Sequence, residues 1–193
     1  MALFTFAEIF DIVVMTLIVG YIFSGTFRKP VEHDYDPLKH YKYGFYGINF
    51  EDLKLAALVT APAIILHELG HKFVALSFGL QAQFHAAWTF LALGLIMKLM
   101  NFGFIFFVPA YVSILGNSTP LQSSMVAFAG PGVNLILWLG SLALLKYKSL
   151  PRKYNGVLLL TGKINMFLFI FNILPIPFFD GSKVFMGLIE AFF

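Results

Sequence analysis

The chain has 193 residues, of which 59% are apolar and only 12% charged, with a net charge of +3 and a mean hydropathy of +0.82. An ordinary soluble domain carries about 25% charged residues. This composition therefore excludes a water-soluble globule and indicates an all-α polytopic membrane protein of about five to six transmembrane helices. Cysteine is absent, which excludes disulfides and thiolate metal sites, so any metal must be held by histidine and carboxylate. No basic run suited to nucleic acid is present.

The N-terminus, MALFTFAEIFDIVV, carries Glu8 and Asp11 where a cleavable signal peptide would carry basic residues. It reads as the entry to a first span, about Ile9 to Ser24. A segment rich in charge, tyrosine and turn residues follows as a juxtamembrane loop. Within it EHDYDPLKH (Glu32–His40) offers two histidines and three acids, but the irregular spacing suits a solvated loop better than a second metal site. The next span runs from about Leu55 to Leu80. AAWTFLALGLIMKLM then reads as helix, with His85 near its start as an interfacial histidine. FGFIFFVPAYVSIL is β-branched and aromatic around Pro109, and its periodicity admits either strand or helix. A turn at GNSTP leads into a span from Leu121 to Leu145. The basic loop KYKSLPRK precedes another, from about Val157 to Leu174, which breaks at PIPFFDG. An apolar tail, Lys183–Phe193, covers about half a bilayer at ~1.5 Å per residue.

The second span is interrupted at its middle by His67, Glu68, His71 and Lys72. Burying an ionisable side chain at that depth costs roughly 2.5–3.5 kcal/mol on insertion scales, so the cluster requires a compensating role. Positions four apart share a helix face, so His67 and His71 can direct two imidazoles at one ion. Glu68 sits beside that ion, placed to take a proton from water. This is the H-E-x-x-H arrangement of zinc peptidases. A chance match, with both histidines satisfied by neighbouring helices, is the alternative.

A catalytic zinc site needs a third protein ligand. Beyond Glu68 the chain has two acids, Asp180 and Glu190, and apart from His71 one further histidine, His85. Glu190 lies close to the end of the chain. Asp180 follows a segment where Pro175 and Pro177 remove two backbone donors and break the helix. It precedes a glycine, and broken backbone at membrane depth is tolerated where it is buried in protein or lines a water-filled cavity. Asp180 is the candidate third ligand.

HELGH (67–71), GPGVN (130–134) and NILPIPFFDG (172–181), in this order on three spans, resemble the site-2 protease family of intramembrane zinc metalloproteases. The resemblance implies Zn2+ held by His67, His71 and Asp180, with Glu68 as the catalytic base. It places Asn134 near the substrate or the developing oxyanion; close helix packing through Gly130 and Gly132 is the other reading of GPGVN. It also implies a multi-pass protein of the cell membrane whose partners are the lipid bilayer and a transmembrane segment of another protein. Residues 1–54 would form the first span and juxtamembrane loop, and 55–193 the catalytic core. A substrate helix must unwind to expose its peptide bonds, and Phe104–Ile114, if a strand, supplies an edge to hold it, within a short β-hairpin near the site. The chain leaves no room for the peptide-binding domain many relatives insert, and it ends 12 residues after Gly181.

Basic residues concentrate in the 28–54 and 146–153 loops, which share one side if the intervening region crosses an even number of times. The positive-inside rule then places that side in the cytoplasm, and the resemblance implies the opposite orientation. Two other classes compete with the endopeptidase. A transporter or metal-binding membrane protein would need further intramembrane acids facing the site, and residues 69–179 contain none. A catalytically dead scaffold would have no need of both Glu68 and Asp180.

Overall fold

The computed structural model describes residues 3–27, 50–102, 108–147 and 150–193. The charged segment Glu32–His40 and the stretch Phe104–Phe107 lie outside the described residues. Helix α1 (Phe6–Phe23) starts at Thr5 through a capping box, in which the Thr5 hydroxyl accepts from the Glu8 amide and the Glu8 carboxylate accepts from the Thr5 amide. Helix α2 (Phe50–Ser77) carries the two histidines, and it ends where Gly79 takes φ +76°. Strand β1 (Gln81–Ala86) follows, then the short helix α3 (Trp88–Leu99) and strand β2 (Ala110–Leu115). Helix α4 (Pro120–Lys146) begins with a second capping box, Thr119 with Gln122, and a proline at its first position. Helix α5 (Asn155–Asn172), preceded by a 3-10 turn at Arg152–Tyr154, and helix α6 (Asp180–Phe192) complete the chain.

Among the described residues four helices are long and apolar enough to cross a membrane: Phe6–Phe23, Phe50–Ser77, Pro120–Lys146 and Arg152–Asn172. Large apolar side chains stay exposed on them, among them Phe6, Leu17, Leu58, Phe73, Ile136 and Leu139, as expected of faces that meet lipid rather than water. The α-helical membrane class expected from composition is therefore what the chain adopts. Helix α2 is central, packing on α1, α4, α5 and both strands, while α4 packs on α5 and α6. Glycines set the closest approaches. A Cβ on Gly20 would lie 2.8 Å from that of Ala57, and one on Gly70 would lie 2.8 Å from the Ala129 carbonyl oxygen.

The strands form a two-stranded antiparallel sheet with Gln83 opposite Ser113 and His85 opposite Tyr111. It corrects the expected hairpin in one respect: α3 lies between the strands in sequence. The alternation in QAQFHA, with Phe84 and Ala86 buried against Met15, Val19, Leu91 and Ala110, makes β1 a half-buried strand, although adjoining apolar segments obscure that period. His85 lies on the other face, stacked on Tyr111 with ring centroids 5.3 Å apart and Nε2 2.9 Å from the Ser113 hydroxyl.

Candidate metal centre

His67 and His71 lie one turn apart on α2, each more than nine-tenths buried. Their rings meet edge to face with centroids 4.8 Å apart, and the two Nε2 atoms are 3.1 Å apart. Asp180 reaches them from the first position of α6, after the turn that contains Pro175, Pro177 and Phe178 with φ +79°. Its Oδ2 lies 3.1 Å from His67 Nε2 and 3.2 Å from His71 Nε2. The three residues form a group whose ligand atoms all lie within 4.8 Å of one another. Gly181 permits this placement, because a Cβ there would lie 2.3 Å from the Ile173 carbonyl oxygen.

The outer hydrogen bonds determine which atoms carry protons. His71 Nδ1–H donates to the Val126 carbonyl at 2.7 Å. His67 Nδ1–H donates to Asn134 Oδ1 at 2.5 Å. That amide is oriented by its own donors: Asn134 Nδ2 donates to the Ala63 carbonyl at 3.1 Å and to Asn165 Oδ1 at 2.8 Å, and Asn165 Nδ2 donates to the Thr161 carbonyl at 2.8 Å. A carbonyl oxygen can only accept, so each neutral imidazole holds its proton on Nδ1 and presents a bare lone pair at Nε2. The two Nε2 atoms and a carboxylate oxygen thus converge on one point, and with both imidazoles neutral their lone pairs are free for a cation to take. Two imidazole nitrogens with one carboxylate oxygen suit zinc and leave a position open. The donor set therefore fits the metal that the sequence implied.

Gly130 forms the floor of this site. A Cβ on it would sit 2.3 Å from His71 Nε2 and 2.7 Å from His67 Nε2, so only glycine leaves the two rings their space. Gly132 has no such role, since its nearest contact is the Phe128 ring on the same helix at 3.4 Å. Asn134, expected near the substrate or the developing oxyanion, lies directly behind His67. It is fully buried and all its side-chain donors and its oxygen are engaged, so it orients His67 from behind. Asn165 in the same chain was missed by sequence reasoning; the available signal was an amide inside an otherwise apolar span.

Glu68 lines the same cavity, of about 440 Å³, together with His67, His71, Asp180 and Lys183. Its carboxylate has no hydrogen-bond partner among the described residues, so both oxygens remain available to a reactant. Apolar residues of β2 and α5 make up much of the remaining wall. His85 and Glu190 lie outside the three-ligand group.

Two curated proteins are similar to the chain. One, from Methanocaldococcus jannaschii and named a "putative zinc metalloprotease", is 33% identical over 188 residues, covering 95% of this chain and 87% of that protein. The other, from Synechocystis and also named a "putative zinc metalloprotease", is 30% identical over 135 residues, covering 70% of this chain and 31% of that protein. No family model and no solved structure matches.

Proposed function

The chain belongs to the zinc metalloprotease family of these two relatives, and from that premise we propose that it is a multi-pass intramembrane endopeptidase of the cell membrane that cleaves a transmembrane segment of another protein. The observation that carries this reading is the convergence of two imidazole Nε2 atoms and the Asp180 carboxylate beside the Glu68 carboxylate, at a helix of membrane-spanning length.

His67 Nε2, His71 Nε2 and an Asp180 oxygen would hold the zinc, which supplies Lewis acidity toward water and the scissile carbonyl. Glu68 accepts a proton as water adds to that carbonyl carbon. It returns the proton to the amide nitrogen as the C–N bond breaks, releasing a carboxylic acid and an amine, between which the remaining proton passes to leave a carboxylate and an ammonium. Asn134 and the Val126 carbonyl keep both rings in the tautomer that leaves Nε2 free. The substrate lies extended along β2. In the β1–β2 register the inward hydrogen-bonding positions on β2 are Tyr111 and Ser113, so the backbone groups of Ala110, Val112 and Ile114 point away from β1. All three residues line the cavity that holds the metal centre.

The test is metal content together with cleavage of a reconstituted transmembrane helix. The wild-type chain is expected to hold near one zinc. Glu68→Gln should retain it while losing at least about a hundredfold in turnover, the scale of general-base catalysis, and Asp180→Ala should lose the metal. A Glu68→Gln chain that cleaves at the wild-type rate overturns the proposal.

A further inference from the structure

The sheet has a second edge, and the structure closes it in a specific way. The Phe84 amide of β1 donates to Glu8 Oε1 at 2.8 Å, and the Ala86 amide donates to Asp11 Oδ2 at 2.9 Å. These are the amides that antiparallel pairing turns away from β2. Two strand residues advance about 6.8 Å, while the three residues from Glu8 to Asp11 advance about 4.5 Å along a helix. The additional methylene of glutamate helps to span the difference. Both carboxylates come from α1, the helix laid along this side of the sheet.

Glu8 is held from every side. It is buried, its other oxygen accepts from the Thr5 amide at 2.8 Å, and it pairs with the buried ammonium of Lys72. Lys72 directly follows the ligand His71 on α2. The same carboxylate therefore ties α1, β1 and the helix of the metal centre together. An exposed strand edge is a template for any extended chain, and in a substrate-binding sheet two open edges would offer two places to pair, of which only β2 lies along the cavity.

We infer that Glu8 and Asp11 are positioning residues for proteolysis, capping the outer edge of β1 so that an unwound substrate pairs only with β2 and only in the register that presents one bond to the metal centre. This rests on the endopeptidase reading above. Asp11 acts through a hydrogen bond to a strand amide and touches neither metal nor substrate. Its loss therefore frees the Ala86 amide, lets a second strand compete at β1 and loosens the sheet's register, without altering the ligands.

The test uses the full chain in lipid vesicles and a synthetic transmembrane peptide with a central Asn-Pro break and one benzophenone side chain beside it. In a Glu68→Gln background, photocrosslinks are expected on β2 and absent from β1 and α1. Adding Asp11→Ala should bring crosslinks onto β1 or α1, and Asp11→Asn, which keeps an accepting oxygen, should return them to β2. In the active chain, Asp11→Ala should raise KM about three- to tenfold with kcat within twofold, and spread the cut over neighbouring bonds. Zinc content should stay unchanged.

Crosslinks on β1 in the parent chain, or none on β2, overturn the inference. So does an Asp11→Ala chain whose crosslinks match its parent, or whose KM and cut site do. If peptide crosslinks to β2 and moves with Asp11→Ala, but no variant cleaves it, the positioning role stands and the endopeptidase reading falls.

Discussion

Gly130 shows how much of this site is decided by a missing side chain. It contributes no ligand, yet a methyl group at its position would stand 2.3 Å from one ligand nitrogen and 2.7 Å from the other. Alanine favours helix over glycine by about 1 kcal/mol, which partly offsets the clash with the two rings, so Gly130→Ala should leave the metal-free chain folded with at most a modest loss of stability. Its zinc affinity should nevertheless drop by more than about tenfold, on the scale of damage to a ligand's immediate support. Competition against a chromogenic chelator measures the affinity, and thermal unfolding of the stripped chain measures the fold. Equal zinc affinity in the variant would show that the rings move aside freely. The residues of the candidate metal group were legible one by one: His67 and His71 from their spacing, and Asp180 by elimination. Asn134 was legible as a motif residue but not in its task, because a buried amide beside a metal can face the reactant or the ligand. Only its partners distinguish the two.

At the scale of elements, α1 is joined to the metal-bearing helix by a buried ion pair as well as by apolar packing. Glu8 and Lys72 are each about 2% exposed at the side chain. Removing one member of such a pair leaves a charge without compensation and costs about 3–5 kcal/mol. Glu8→Gln and Lys72→Met should each be strongly destabilising, and the double variant should cost clearly less than their sum. A double-mutant cycle in detergent, read by thermal or denaturant unfolding, tests this; strict additivity would mean that the two do not interact. Both residues were visible in the sequence, Glu8 as a charge at the entry to an apolar span and Lys72 as one inside the next, but their pairing was not, since 64 positions separate them. The small sheet was obscured for a related reason. A six-residue strand with alternating polarity has too short a period to stand out between a membrane-length helix and α3, and pairing supplies the stability that β1 or β2 alone would lack.

For the molecule as a whole, His67, His71 and Asp180 bring α2 and α6 together, two elements whose contacting residues lie more than a hundred positions apart in sequence, and a metal held between them would join the two. A ligand that binds only the folded chain adds RT ln(1 + [L]/Kd), about 4 kcal/mol at a thousandfold excess over Kd. For a chain of this size that corresponds to roughly ten degrees in Tm. Chelation should lower Tm by that order, with recovery on adding zinc and none on adding magnesium, which prefers oxygen ligands. An unchanged Tm after verified zinc removal would deny the metal this structural role. By itself the sequence determined the membrane class and the approximate spans, and it singled out His67, His71 and Asp180 as the residues that could hold a metal, with Glu68 beside them. Hydrophobicity, helical periodicity and the scarcity of acids are all local or compositional quantities that a single chain displays. Only the tertiary structure decided which way the imidazole protons point, that Asn134 and Asn165 stand behind His67, that Gly130 makes room for the rings, and which edge of the sheet is closed by α1. Each of these depends on distances between groups far apart in the chain, which packing sets and residue order does not state.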